Sequence, residues 1–232
     1  MDSRNQFFGR DYFNVYGNDP RRLQMYRMER DRIQALKPGG TILDIGCGIG
    51  AFLDEFPSGA WRKYGVDVSV HAIETSRSKG IHVNDPGRDY EYPPGFFDVI
   101  VMRGSLQHLP CPFKTIQDCI TLLAPSGILV CLATPNTNSP YFRRFKTLPF
   151  LTPNINILQP SDLMMRHALQ NLGLEVLEIR YPYLETPYAR PLLDHLFYAL
   201  SFVGVKKKFA FWRSSMEIYA RKPAAPPAVT PP

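Results

Sequence analysis

The chain has 232 residues, 44% of them hydrophobic and 21% charged, with a formal net charge of +6. That length holds one α/β domain with a sizeable core, and the composition is that of an ordinary globular protein rather than a disordered or fibrous one. The basic residues are dispersed apart from Lys206-Lys207-Lys208, which excludes an appended basic nucleic-acid-binding domain and leaves weak electrostatic steering at most.

From Pro20 to Leu36, Leu23, Tyr26, Ile33 and Leu36 recur at helical spacing behind Asp19-Pro20, which predicts a helix ahead of the first strand. Two readings of this segment stand side by side: a cap over a ligand site, or a helix covering one face of a sheet. Thr41-Ile42-Leu43-Asp44-Ile45 is then a short, mostly β-branched apolar run with an embedded acid, and Gly46, Gly48 and Gly50 follow on alternate positions. This reads as a buried strand feeding a tight turn, and Ala51 to Phe56 resumes with helical spacing. Strand, glycine turn and helix is how an α/β sheet opens a nucleotide site, the glycines letting the backbone approach a ligand. Gly46, Gly48 and Ala51 satisfy the loose dinucleotide pattern. Asp44, however, would repel a pyrophosphate and suits an ammonium or sulfonium, and Gly50 extends the glycines beyond what a dinucleotide requires.

Tyr64 to Ser69 reads as a second strand ending in an acid. Asp67 falls about 20 residues after the glycine turn, where an acid accepts hydrogen bonds from ribose hydroxyls. Val70 to Lys79 suits a helix and Gly80 to Asp85 a short third strand, although Asn84-Asp85-Pro86-Gly87 is equally turn chemistry. His82 reads as a surface position. Val99 to Met102 is the continuous apolar run of a strand buried on both faces, with a polar loop and Pro110-Cys111-Pro112 behind it. Phe113 to Leu123 is a predicted helix and Ile128 to Thr134 a fifth strand. Ser161 is a plausible N-cap and Gly173 a plausible C′ glycine of the next helix. Val176 to Tyr183 and Ser215 to Lys222 complete the strands. Between them Leu192, Leu193, Leu196, Phe197, Leu200 and Val203 form an apolar helical stripe. The favoured reading is a helix packed on the sheet edge; the other is a lid over an apolar substrate, or attachment to a membrane surface helped by Lys206 to Lys208. Pro223 to Pro232, proline and alanine without a core former, is expected to be disordered.

Leu43 to Gly50 resembles motif I of the class I S-adenosylmethionine-dependent methyltransferases, and Phe97 to Leu109 resembles that family's fourth-strand and post-strand pattern, "FDvV…LeHl.dP". Leu122-Leu123-Ala124-Pro125-Ser126-Gly127 resembles its "LkPGG" turn, with Ser126 in place of the first glycine. Pro135-Asn136, and Gln159 to Val176, resemble the "tPN" and "ftp.sL..ll..aGFev" stretches of the ubiquinone-biosynthesis-like branch. That branch often carries a histidine before the last of these, where this chain reads Asn154-Ile155-Asn156-Ile157, so no role is carried over. The resemblance covers about residues 40 to 180. It implies an α/β fold, a Rossmann-like, seven-stranded, mostly parallel sheet with a reversed last strand and helices on both faces. The expected organisation is a single domain over 1–222, with 1–40 as an N-terminal cap segment and 184–212 as a helical insertion.

The resemblance also implies S-adenosyl-L-methionine as cofactor and S-adenosyl-L-homocysteine as product. The implied contacts come from Asp44, Gly46, Cys47, Gly48, Gly50, Asp67, Val68, Asn84, Asp85, Arg103 and Gly104, with Asp44 toward the methionyl amino group, Asp67 on the ribose, Val68 flanking the adenine and Asp85 or Asn84 at its amino group. The expected reaction is direct methyl transfer to a small-molecule hydroxyl or amine in biosynthetic tailoring, the branch favouring oxygen. His108, the one histidine on a strand-end loop near the methyl, is the candidate base; holding the loop by hydrogen bonds is its other reading. A non-catalytic scaffold is opposed by the intact Asp44, glycine and Asp67 set, and an NAD-dependent oxidoreductase by Gly50 and Phe97 to Leu109. No carboxylate cluster stands by Arg103 and Asn136, and His108 and Cys111 have the wrong company for zinc, so no metal is expected. Cys47, Cys111, Cys119 and Cys131 lack framework spacing, the start is polar, and no uncharged stretch reaches the roughly 18 residues of a membrane span. The expected location is cytoplasmic, with no nucleic-acid partner.

Overall fold

Strand alternation sends successive side chains to opposite faces, and here both faces are covered. The computed structural model describes residues 19–84, 92–151, 155–205 and 207–224. Its strands are β1 (Gly40–Ile45), β2 (Trp61–Val66), β3 (His82–Val83), β4 (Phe97–Arg103), β5 (Leu123–Pro135), β6 (Glu175–Arg180) and β7 (Ser215–Arg221). They form one seven-stranded sheet in the order β3-β2-β1-β4-β5-β7-β6. The first five are parallel where they pair, and β7 runs antiparallel to both β5 and β6, as expected.

One face carries Ile42, Val99, Val101, Val130 and Tyr219, covered by α1 (Pro20–Leu36), α2 (Ala51–Asp54) and α3 (Val70–Ser78). The other carries Leu43, Ile100, Met102, Cys131 and Ile218, covered by α4 (Pro112–Leu122) and α6 (Asp162–Asn171). A short α5 (Pro140–Phe145) lies outside these two cores. Asp19 caps α1 by accepting from the Arg21 N–H at 2.9 Å, Ser161 caps α6 through the Met164 N–H at 3.1 Å, and Gly173 takes the left-handed conformation just past α6 at φ 84°.

Several bounds differ from the expectation for local reasons. The third strand shrinks to His82–Val83 at the sheet edge, and the sixth stops at Arg180 because Pro182 has no N–H to continue the ladder. α2 ends at Asp54, three residues before Pro57. The fifth strand begins early, at Leu123, and its register steps from Phe97↔Leu123 to Val99↔Ile128, so residues 124–127 bulge outward. Ser126, where the resembled turn has glycine, sits at φ 61° in that bulge. The Asp85 assignment, residues 1–18 of the cap segment and most of the Pro/Ala tail lie outside the described residues.

The insertion forms α7 (Pro191–Leu200), and it does not pack on the sheet edge. Phe197 and Tyr198 rest on a satellite cluster of Tyr141, Leu148, Leu151, Phe209 and Phe211. Its one fully buried residue is Asp194, which accepts from the Tyr183 hydroxyl at 2.7 Å and the Arg190 N–H at 2.8 Å.

α1 is fixed to the sheet by a buried ion pair. The carboxylate of Glu29 accepts from Arg103 Nε at 2.6 Å and Nη2 at 3.1 Å, and the guanidinium lies 4.2 Å from the centroid of the Tyr26 ring. Removing one partner of such a pair leaves an uncompensated buried charge, so Glu29→Ala should lower stability by about 3–5 kcal/mol in denaturant unfolding, and Glu29→Leu with Arg103→Met should recover most of it. Ser126→Gly should stabilise by about 0.5–1 kcal/mol: a left-handed non-glycine residue costs about 1–2 kcal/mol, and glycine's added unfolded entropy offsets about half.

Candidate functional site

The carboxyl ends of β1, β2 and β4 converge, and three sets of hydrogen bonds hold their loops in place. The N–H groups of Gly46 and Cys47 both donate to the Val66 carbonyl, at 2.8 and 2.9 Å, stitching the turn after β1 to the end of β2. Asp67, just past β2, accepts from the Gly48 N–H at 2.8 Å on one oxygen and from the Ser69 N–H at 2.9 Å on the other. The Ser76 hydroxyl donates to the Gly48 carbonyl at 2.8 Å, and the Ser105 hydroxyl to the Ile45 carbonyl.

The turn needs its glycines. Gly46, Gly48 and Gly50 have φ of 82°, 55° and 71°, where a side chain is strained. A Cβ on Gly46 would also come within 2.7 Å of Ser105 Cβ. Cys47 turns its thiol into the core, against the space a Cβ on Gly65 would fill, and burial pushes that thiol's pKa far up. What Cys47 offers the turn is its backbone.

Asp44 lies on the face covered by α1 and is 2% exposed. Burial pushes its carboxyl up to about 7, against the pull of the Arg103 guanidinium and backbone N–H, while the Asp67 and Glu29 charges add to the rise. Its Oδ1 is buried without a hydrogen-bond partner. An unsatisfied buried acceptor costs free energy, and an acceptor of this charge is suited to a cation. Glu217 on β7 is a second buried carboxyl on this side, pushed up to about 7 by burial and the Glu29 charge and bonded by the Tyr219 hydroxyl at 3.0 Å.

Beyond β4, Gly104 donates to the Leu132 carbonyl at 2.8 Å and has φ 65°. The 3-10 turn Leu106–His108 follows. Gln107 Nε2 donates to the Gly104 carbonyl at 3.0 Å and lies 3.4 Å from His108 Nε2. His108 Nδ1 is 3.1 Å from the Ile155 carbonyl. A carbonyl only accepts, so Nδ1 carries the proton and the neutral ring has its lone pair on Nε2. Burial draws the His108 pKa below its ordinary value, countered in part by Ile155, which favours that neutral form. Segment 155–157, which lacks the branch's histidine, thus supplies a carbonyl to His108 instead.

Asp44, the glycines, Asp67 and the Arg103-Gly104 backbone therefore meet at one end of the sheet. Val68 stands beside Asp67 and is 70% exposed, an apolar surface open to a flat ring. Asn84 follows β3 directly and accepts from the Tyr92 hydroxyl at 3.5 Å. The Arg103 guanidinium is turned to Glu29, which leaves its backbone as the part facing the loop. Four polar groups were missed by sequence reasoning: Gln107 Oε1, Thr134 Oγ1, Asn136 Nδ2 and Ser214 Oγ are buried without hydrogen-bond partners around the ends of β4 and β5 and the start of β7. Asn136 Oδ1 accepts from the N–H groups of Asn138 and Asp162, at 2.9 and 3.1 Å, which orients its amide. Two polar residues, Thr134 and Asn136, closing an apolar strand were the available signal. Among the described residues no group of three or more His, Cys, Asp or Glu is placed to hold a metal.

A family model for a methyltransferase domain matches residues 20–179, more than half of the chain. A ubiquinone biosynthesis O-methyltransferase of Burkholderia thailandensis is 27% identical over 165 residues, 62% of this chain and 68% of that protein. Across relatives bearing that name the match covers from 39% to 68% of their length, about half in most. Among solved structures, a SAM-dependent methyltransferase from Archaeoglobus fulgidus superposes with a TM-score of 0.63 at 20% identity, covering 94% of this chain and 100% of that one. A Haemonchus contortus phosphoethanolamine N-methyltransferase bound to S-adenosylhomocysteine gives 0.58 at 16% identity, covering 85% of this chain and 53% of that one. The fold, the glycine turn beneath a buried acid, and the family match together place the chain in the class I S-adenosylmethionine-dependent methyltransferases, with S-adenosylmethionine as its cofactor.

Proposed function

We propose that the protein methylates a hydroxyl or amine of a small molecule in biosynthetic tailoring, with oxygen the favoured acceptor atom. The observation that carries the cofactor's placement is the unpartnered Oδ1 of buried Asp44, an anionic acceptor next to a glycine turn and so a fit for an ammonium group. The choice of oxygen leans on the name of relatives 27–28% identical. When bound, S-adenosylmethionine supplies a methyl already activated on a sulfonium, so alignment supplies much of the acceleration.

In this reading Gly46, Gly48 and Gly50, with the Cys47 backbone, form the floor under the cofactor. Each oxygen of Asp67 uses one lone pair on a backbone N–H and keeps another for a ribose hydroxyl. Val68 flanks the adenine, with Asn84 or Asp85 at its amino group, and Arg103 and Gly104 contribute backbone. Gln107, Thr134, Asn136 and Ser214 are the polar groups that receive the acceptor. His108, with its lone pair on Nε2, takes the proton that a hydroxyl must lose. One domain runs through β7, capped by the segment before β1 and interrupted by 184–212.

The test is calorimetric binding of S-adenosylhomocysteine, with NAD as control. Asp44→Asn and Asp67→Ala should each weaken binding about tenfold to hundredfold, the worth of a charge-assisted hydrogen bond. The pH dependence has a definite sign. A carboxyl raised to about 7 is ionised only above that pH, and the ammonium selects the ionised form, so affinity should fall by up to about tenfold per unit below pH 7. Asp44→Asn should flatten that slope. Binding of NAD instead, or an Asp44→Asn protein with undiminished affinity, would overturn the assignment. Once an acceptor is in hand, His108→Gln should cut kcat by about 10²–10⁴ and remove the acidic limb of the pH profile while sparing cofactor affinity. A variant that keeps its pH profile assigns His108 to holding the loop.

A further inference from the structure

α7 is built inside out. Its acid, Asp194, is fully buried, while Leu192 is 90% exposed, Leu193 45% and Leu196 51%. The same surface continues into the 3-10 turn Ser201–Val203, where Phe202 is 66% and Val203 78% exposed. Isolated exposed apolar residues are ordinary, but five large ones on one helix and its extension form a surface that water alone does not favour.

The charge around this surface has one sign. Residues 137–160 and 186–216, the two stretches that supply the satellite cluster, contain eight Lys or Arg and a single acid, the buried Asp194. That is +7, against +6 for the whole chain, so the rest of the molecule nets −1. Arg213 is turned inward to Asp162, whereas two of the others lie against the patch itself: the Arg144 guanidinium is 4.7 Å from the Phe202 ring centroid and Lys207 Nζ 4.3 Å from that of Phe197. Glu185 borders the region and is held by Arg180 at 2.7 Å.

We propose that α7 and the Ser201–Val203 turn dock on an anionic lipid surface, with Leu192, Leu196, Phe202 and Val203 entering the acyl boundary and the lysines after the turn meeting the headgroups. A leucine face bordered by basic residues, its nearest exposed acid Glu185 already paired with Arg180, is the pattern of an interfacial helix. A second copy fits less well, because a two-fold interface sets the same patch against itself and would oppose two lobes of like charge. Among the described residues no helix is long and apolar enough to cross a membrane, so the contact is peripheral. The proposal does not rest on methyl transfer.

The experiment is co-sedimentation of the full chain with vesicles of phosphatidylcholine, with and without phosphatidylglycerol, alongside sedimentation velocity of the free protein. The expected result is binding at least about tenfold tighter to the anionic vesicles, weakened by salt, and lost in both Leu192→Asp/Leu196→Asp and Lys207→Glu/Lys208→Glu. Both pairs are solvent-exposed, and unchanged circular dichroism melting verifies that the variants fold. Failure of the wild type to sediment with anionic vesicles overturns the proposal. So does equal sedimentation of both variants, or a wild-type dimer that Leu192→Asp/Leu196→Asp dissociates.

Discussion

A guanidinium buried between two carboxylates is the constraint on which the site end of this sheet depends. Arg103 reaches from the last position of β4 to Glu29 on α1, and its charge also lowers the cost of ionising Asp44 on β1. Burial alone disfavours every one of these charges. They persist because each partner offsets part of the others' desolvation, and the remainder shows as an Asp44 carboxyl near 7 with one oxygen unpaired. Arg103 alone neutralises Asp44 only in part, which is what suits this carboxyl to a further cation. α1 covers the sheet through Ile33 and Tyr26, and Glu29, on the same stripe, places its charge near Asp44.

The loops are held independently of that pair. Asp67 and Ser76 grip Gly48 from its N–H and its carbonyl, and Ser105 ties the β4 loop to the last carbonyl of β1. These bonds fix the turn in left-handed conformations that glycine alone adopts without strain, so its shape does not depend on a ligand. Such preorganisation matters most for a reaction in which alignment does much of the work.

What was legible in the sequence was what local chemistry specifies. Val99 to Met102 reads as a strand buried on both faces because nothing polar interrupts it, and the acid-glycine turn reads as a site because so few ligands tolerate Asp44 there. Caps at Asp19 and Ser161 are local as well. The remainder depends on meetings between distant residues. Arg103 sits at a motif position, but its partner lies 74 residues earlier, so its side chain's commitment to Glu29 is invisible in either stretch. Gln107, Thr134 and Ser214 become a group only where the ends of β4 and β5 meet the start of β7. The α7 stripe was seen, and its direction was not: helical spacing reveals an apolar face without saying whether a core exists to receive it. Here the receiving core, Tyr141 to Leu151 with Phe209 and Phe211, takes Phe197 and Tyr198 and leaves the leucines outside.

That same geometry explains why the charge looked dispersed. The basic residues of the lobe come from two stretches, 137–160 and 186–216, separated by α6 and β6, and neither stretch alone stands out beyond Lys206-Lys207-Lys208. Folding joins the two stretches at one satellite cluster, with Arg144 and Lys207 against its aromatic rings, and the remaining sequence carries a net charge close to zero. A segregation of this kind does nothing for the stability of the lobe, since like charges gathered together repel. Nor does exposure of Leu192 and Leu196 help a helix whose buried acid must be satisfied by Tyr183 and the Arg190 N–H. Two features that each work against the isolated fold, on one surface and with one common remedy in an anionic apolar boundary, are better explained by a surface that meets such a boundary than by packing alone.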